Sequence, residues 1–420
     1  MITIIISAIK IIVLLGLLII IHEAGHMIVA KKCKVKVNEF SIGFGPIIWK
    51  KQGKETKYTL RLIPLGGFCS MEGEDERSEN EGSFSKASIP RRLAIVFAGA
   101  LVNIIFGLLV FFILMASTGN YISNEIENTI DGYVAEEIGL QPGDKIVEIE
   151  GKEVKSKYDL DDVTKNITEN REISLKIDRN GEIIEYKTKL TEVASKVTGL
   201  YLDEKGKVIT VEKGSVAEKQ GIQANDKIIK INNENVNEDI TKIVEQIQQK
   251  GVGTVLLTIE RGDETLNIEL TPDHEYSYYL GVNLKIAENT IINHIIYGAV
   301  ETKEFSLSII DNLKQLFTGK VGIDQMMGPV GISEAVAKTT GIEDFVFMLA
   351  LISLSLGVTN LLPIPALDGG KILILLIEAI RRKPLKQETE LNIQLLGFSF
   401  LIVLSLYVAY NDILRIFWKR

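Results

Sequence analysis

The sequence predicts a multi-span α-helical membrane protein with four transmembrane helices, two exported α+β domains and a membrane-associated β-hairpin. Three observations carry this. Four stretches are long, apolar and nearly free of charge; the segment between the second and third is acidic and repeats itself; and the loop between the first two alternates as strands do. Of the 420 residues 24% are charged, with a formal net charge of −8. The charge is unevenly placed, because residues 119–342 hold 25 Lys+Arg and 39 Asp+Glu, a net of −14, which leaves the two ends at +6. A soluble enzyme of uniform composition is excluded.

A bilayer core of about 30 Å takes roughly 20 apolar residues per helix. Four stretches qualify: about Ile11 to Ala30, Leu93 to Ser117, Phe345 to Leu367 and Leu391 to Asn411. The first is expected to be retained, since only Lys10 leads it, no Ala-x-Ala-like cleavage site follows, and Glu23 sits inside it. Orientation follows from basic residues in the short loops. Lys31, Lys32, Lys34 and Lys36 follow span one, Arg91 and Arg92 precede span two, and Arg381, Arg382, Lys383 and Lys386 precede span four. Those sides read as cytoplasmic, which puts the acidic segment and both termini outside. Cys33 and Cys69 then lie inside and read as structural thiols; the exported segment has no cysteine, so neither a disulfide framework nor a cysteine zinc site is expected.

Span one carries Ile21-His22-Glu23-Ala24-Gly25-His26, an H-E-x-x-H in an apolar helix. Residues four apart share a helix face, so His22 and His26 can aim both imidazoles at one zinc ion while Glu23, one residue round, reaches the attacking water. A histidine pair satisfied by neighbouring helices is the bland alternative, but an ionisable Glu within a span is costly and points to function. In the following loop, Val35 to Phe44 and Thr56 to Leu62 alternate as strands do, and Gly66 and Gly67 permit close backbone approach. This β-hairpin reads either as a receiver of substrate or as a plain amphipathic surface hairpin. The first reading has a mechanical reason: a transmembrane helix locks its carbonyls in its own hydrogen bonds, hydrolysis needs local unwinding, and a waiting strand edge replaces the lost bonds.

Sliding the chain over itself by 82 residues exposes the repeat. Gly132 to Leu140 aligns with Gly214 to Ile222, Asp144-Lys145-Ile146 with Asp226-Lys227-Ile228, and Ile177-Asp178-Arg179 with Ile259-Glu260-Arg261. Each copy reads as a short helix closed by glycine, an alternating strand, a longer helix and two more strands. This resembles a PDZ domain in the bacterial, circularly permuted arrangement, with Gln141-Pro142-Gly143-Asp144 as the strand-opening turn. PDZ domains add an extended chain end beside a glycine-containing loop whose amides receive a carboxylate. Gly199, in Thr198-Gly199-Leu200, stands where that loop belongs in the second copy; Asn124 to Glu127, upstream of the first, offers no glycine, so carboxylate capture is expected at the second copy alone. Packing modules, or a steric cover, is the other reading.

Residues 291 to 318 keep apolar residues such as Ile295, Ile296, Phe305 and Ile309 at helical spacing and read as an interfacial helix, or as one packed against the second repeat. A zinc hydrolase needs a third protein ligand and an open position. Val29 and Lys32 stand where a metzincin would place glycine and histidine, and nothing like the glutamate helix of thermolysin-like enzymes follows. Asp368 is the best remaining candidate, because it closes span three in Asn360-Leu361-Leu362-Pro363-Ile364-Pro365-Ala366-Leu367-Asp368-Gly369-Gly370. Its alternative role is to cap the helix that begins at Gly369. Pro363 and Pro365 break the helix at membrane depth, which is tolerated where backbone lines a polar cavity.

H-E-x-x-H in the first span with N-x-x-P-x-P-x-L-D-G in the third resembles the site-2 protease family of intramembrane zinc metalloproteases, and the tandem PDZ-like domains resemble its RseP-like bacterial branch. Phe40 to Pro46, Pro64 to Phe68, Arg91-Arg92 leading to Ala98-Gly99 and Asn103, and Gly328 to Ile332 extend the match, while Ala100 stands where the family usually has proline. The resemblance implies Zn2+ on His22, His26 and Asp368, Glu23 as the catalytic base, and Asn360 on the substrate backbone, if Asn360 does not simply bond between helices. It further implies single-span membrane substrates already trimmed outside, such as membrane anti-sigma factors, or signal-peptide remnants. The setting implied is a bacterial inner (plasma) membrane, with both termini and the PDZ pair extracytoplasmic.

The expected domain plan is 1–118 for spans one and two with the zinc motif and β loop, 121–195 and 196–275 for the PDZ-like domains, 288–342 for the interfacial helix and linker, and 343–420 for spans three and four. Expected partners are those substrates, the lipid bilayer, and peptide chain ends at the PDZ-like domains, with no nucleic acid. A non-catalytic membrane scaffold recruiting exported proteins and a zinc peptidase for soluble substrates are the competing functions. The intact set of His22, Glu23, His26 and Asp368 speaks against the first, and the bilayer depth of span one against the second. The PDZ pair is expected to gate the enzyme, admitting substrates with small external domains.

Overall fold

The computed structural model describes residues 2–418 apart from 75, 119–120, 204, 237–238, 249–252, 263 and 319–325. The chain forms two compact units, residues 1–119 with 290–420, and residues 120–289. The first opens with α1 (Ile2–Lys32), apolar on every side as suits a helix surrounded by lipid and other helices. β1 (Val37–Gln52), β2 (Lys57–Met71) and α2 (Ile89–Thr118) follow. The two strands fold into four paired segments: 37–42 lies between 67–71 and 57–60, and 47–52 pairs back onto 57–61. At the tip Phe44, Ile47, Ile48, Trp49, Leu62 and Ile63 are exposed. An apolar patch of this kind on a β-hairpin suits lipid better than water. The root is polar, where Glu39 accepts from Arg61 at 2.7 Å, Thr59 at 2.8 Å and Lys57 at 3.1 Å.

The second unit begins with β3 (Ile122–Thr129), α3 (Val134–Glu137), β4 (Lys145–Ile149), β5 (Lys152–Glu153), α4 (Lys157–Lys165), β6 (Ile173–Arg179), β7 (Glu182–Thr188) and β8 (Thr191–Val197). It repeats them as β9 (Leu200–Leu202), β10 (Val208–Val211), α5 (Val216–Lys219), β11 (Lys227–Ile231), β12 (Glu234–Asn235), α6 (Ile240–Gln248), β13 (Val255–Arg261), β14 (Glu264–Leu270), β15 (Asp273–Tyr279) and β16 (Val282–Ile286). Each lobe buries its own core, around Ile146, Leu175 and Ile177 in one and Ile228, Leu257 and Ile259 in the other.

The strand order of the first lobe, β16-β3-β4-β6-β7 with β5 on β4, shows that its edge comes from beyond the second lobe. β16 pairs β3 through Val282↔Thr129, Asn283↔Asn128 and Leu284↔Ile126, and β9 pairs β10 through Leu200↔Val211, Tyr201↔Thr210 and Leu202↔Val208, the same register 82 residues away. The glycine absent upstream of the first copy is therefore Gly281, with φ +81° against +74° at Gly199. Its neighbours match too: Ile130 N donates to Gly281 O and Ala135 N to Leu280 O, as Glu212 N does to Gly199 O and Ala217 N to Thr198 O. The expectation of a glycine loop in the second copy alone is thereby overturned, and the first lobe is discontinuous in sequence. The two arms, β8 and β15, pair antiparallel with Ala194 opposite Tyr276, residues that are themselves 82 apart. Each lobe sends its last strand into the other's glycine loop, about a local two-fold at that pair.

The chain returns to the first unit as α7 (Ile291–Phe317), α8 (Pro329–Lys338), α9 (Ile342–Asn360), α10 (Asp368–Arg381) and α11 (Gln387–Trp418). Residues 319–325 of the expected linker lie outside the described residues. Among the described residues, α1, α2, α9 and α11 are long and apolar enough to cross a membrane. The third ends at Asn360, short of the expected Leu367, because Pro363 and Pro365 can neither donate nor let their predecessors stay helical. α7 lies on α2, with Phe305 stacked on Phe111 at 4.0 Å, and exposes Ile291, Ile292, Ile295 and Ile296. α2 and α9 meet through glycines: a Cβ at Gly107 would fall 2.8 Å from Leu354 N, and one at Gly357 2.8 Å from Ala100 O. α8 spans from α1 to α11. Lys10 Nζ donates to Thr339 O at 2.6 Å, and buried Asp412 accepts from the Gly328 and Gly331 amides at 3.0 and 2.7 Å, satisfying donors that open a helix.

Candidate active site

α1 turns His22 and His26 toward one point because they lie one turn apart. Their Nε2 atoms are 3.2 Å from each other, and Asp368 Oδ2 lies 3.3 Å from the first and 3.5 Å from the second. The tautomer of His26 follows from its other nitrogen: Nδ1 donates to Ile95 O at 2.9 Å, so Nε2 offers its lone pair to the cluster. Asp368 does not cap α10. The N-cap is Leu367, no side chain caps the helix, and buried Asp368 Oδ2 receives no hydrogen bond among the described residues. The loop that delivers it is constrained by Ala366 at φ +76°, and by Gly369 and Gly370, where a Cβ would collide with the Leu362 and Ile364 carbonyls.

These three atoms could hold a metal, the sole such group of three found among the described residues. A tetrahedral zinc site with bonds of about 2.0–2.2 Å separates neighbouring ligand atoms by roughly 3.3–3.5 Å. The three distances fall close to that range, and a carboxylate oxygen buried without a donor is what a cation would satisfy. Two nitrogens and one oxygen are also the donor set of a catalytic zinc that keeps one position open. Among the described residues, His22 Nδ1 is buried without a hydrogen-bond partner.

Glu23 follows His22 on α1. The β2 edge runs along the same helix: a Cβ at Gly16 would lie 3.5 Å from Pro64 O, and one at Gly67 would lie 3.6 Å from Ile19 Cγ2 and 2.7 Å from Ser41 O. Gly66, at φ +116°, leaves no room for a Cβ against Phe44. Among the described residues, segment 67–71 pairs only with 37–42, so its other edge carries no strand. Burial, then the nearby Glu23 charge, pushes the Cys69 thiol up to about 12, as suits a packing thiol, and it is not among the three clustered donors. Asn360 ends α9 and shares no hydrogen bond or ion pair with the cluster among the described residues. Gly199 belongs to the other unit.

Three contributors escaped the sequence reading. Ile95 acts through its carbonyl, which no side-chain pattern reveals. Gly25 and Gly99 make the α1–α2 crossing: a Cβ at Gly25 would fall 2.6 Å from Ala98 O, and one at Gly99 would overlap the His26 ring. A glycine inside H-E-A-G-H and another in Ala98-Gly99 were the available signal.

The pattern of peptidase family M50 matches residues 10–404. The regulator of sigma E protease of Haemophilus influenzae is 30% identical over 442 residues, covering 96% of this chain and 98% of its own. The regulator of sigma-W protease RasP of Bacillus subtilis is 31% identical over 441 residues, covering 98% and 99%. Zinc metalloprotease RasP of Bacillus licheniformis is 29% identical over 463 residues, again covering 98% and 99%. A match that runs from the first span into the fourth takes in both halves of the metal cluster, so the chain belongs to peptidase family M50, the site-2 family of membrane zinc metalloproteases.

Proposed function

We propose that the chain cuts single-span membrane proteins within their spans, with zinc on His22, His26 and Asp368 and with Glu23 as the proton carrier. The observation that carries this reading is the cluster's geometry inside an apolar helix. Zinc, when bound, polarises the scissile carbonyl and makes water a nucleophile near neutral pH. Glu23 accepts the proton of the attacking water and delivers it to the leaving amine. The open edge of 67–71, with Gly66 and Gly67, receives the unwound substrate as an added strand, and Asn360 bonds its backbone. Substrates are single-span proteins trimmed outside, among them membrane anti-sigma factors, since two relatives are named as regulators of sigma E and sigma-W. The enzyme sits in a bacterial inner membrane with both termini and the PDZ-like lobes outside, and peptide ends dock at those lobes. A non-catalytic scaffold is not favoured, because it needs none of the four residues.

Zinc analysis beside cleavage of single-span substrates in detergent tests the roles. Glu23→Gln is expected to keep zinc and lose cleavage by at least about 100-fold, whereas His22→Ala and Asp368→Ala lose both. Normal zinc content in Asp368→Ala removes Asp368 from the ligand set.

A further inference from the structure

A cavity of about 700 Å³ opens between α2, α10 and α11, at the arginine- and lysine-rich end of the helical unit. Its apolar lining comprises buried Val96 and Leu375 and, exposed on α11, Leu391, and the rest of the lining is largely charged. Three of its four carboxylates are already paired: Glu378 with Arg92 at 2.9 Å, Glu74 with Lys371 at 2.8 Å, and Glu79 with Lys86 at 2.9 Å. Glu390 remains, against Arg77, Arg382 and Lys383, which have no carboxylate partner among the described residues. The lining therefore holds an unpaired excess of positive charge at its mouth. Arg92 Nε is buried with no hydrogen-bond acceptor among the described residues.

We propose that this crevice binds the phosphate headgroup of an anionic phospholipid, whose acyl chain lies along the apolar lining beside α11. Basic pockets between transmembrane helices are a recurring setting for acidic lipid heads. An amphipathic shape favours a lipid over a free anion, since a soluble phosphate has nothing to place against Val96, Leu375 and Leu391. α11 is a membrane-span candidate that meets the loop carrying Asp368 at Gly397, where a Cβ would collide with Pro365. A lipid wedged at its lower end braces that helix beside the site without touching the zinc ligands.

Native mass spectrometry of the full-length protein in detergent, titrated with phosphatidylglycerol or phosphatidylcholine, tests this. Wild type is expected to retain phosphatidylglycerol on the order of 100-fold more tightly, as three cations near one anionic head allow. The exposed-residue variant Arg77→Gln/Arg382→Gln/Lys383→Gln should bind both lipids alike, with zinc content and size-exclusion profile unchanged. Equal binding of the two lipids by wild type, or a full preference kept by the triple variant, overturns the site. Displacement of the lipid by millimolar glycerol 3-phosphate would make it a soluble phosphate-ester site, and displacement by a peptide copying a substrate's basic flank would make it a substrate site. Either result refutes the lipid assignment.

Discussion

Gly99 shows how little room the zinc cluster leaves. With no side chain it lets the His26 ring lie against α2, where Ile95 O fixes the ring's tautomer. Adding atoms to a packed contact costs about 1–3 kcal/mol, and here the ring is what must move. Gly99→Val is therefore expected to drop zinc content below roughly a tenth of wild type and cleavage with it, while the protein still elutes as a folded species; retained zinc in that variant would show that the ring has freedom to spare. His22 and His26 were legible in the sequence because helical spacing alone aligns them. Asp368, 342 residues beyond His26, was legible by elimination and by the motif that carries the family resemblance. Residue type at a helix start does not separate a ligand from a cap, and the capping alternative falls because Leu367 occupies the cap position.

The same partition of legibility holds among elements. Four apolar helices could be read from length and composition, whereas the end of the third at Asn360 depends on how two prolines break it. The repeat revealed both lobes but hid their strand exchange, since an offset of 82 aligns β15 with β8 without saying which sheet each arm feeds. An equivalent pair of ion bridges braces the lobes: Arg179 donates to both carboxylate oxygens of Asp144 at 2.7 Å, and Arg261 does the same to Asp226. Burial pushes both carboxyls up, but the guanidinium and a backbone amide outweigh it and hold each below the usual carboxylate range. A depressed native value means stability that is present above the unfolded value of about 3.9 and is lost as pH falls through the native one. Hydrogen exchange in the intact chain should find β6 and β13 protected evenly down to about pH 4 and progressively less below it. Arg179→Met should destabilise the first lobe at neutral pH, by leaving the Asp144 carboxylate without its guanidinium, and should flatten its acid dependence. An unchanged acid profile in that variant would assign the loss to other groups.

For the molecule as a whole, the acidic unit and the basic ends predict one orientation. A cysteine at exposed Asn235 should react with a membrane-impermeant maleimide in intact cells, while Cys33 and Cys69 should not; the opposite pattern would invert the topology. If the acidic unit screens substrates by size, its removal should admit untrimmed ones. The deletion has to run from 122 to 286, because stopping at 275 would leave β16 without the sheet it completes. Continued refusal of untrimmed substrates by an active deletion enzyme would reduce the lobes to accessory binding modules. The central claim is that water is delivered to a peptide bond inside a membrane span by Glu23 beside the zinc. Mass-spectrometric mapping of the products made by the purified enzyme in liposomes, with a single-span substrate trimmed outside, tests it most directly. Termini that fall within the substrate's apolar span, absent with zinc-loaded Glu23→Gln, are the predicted result; termini outside the span, or the same products from that variant, would contradict it.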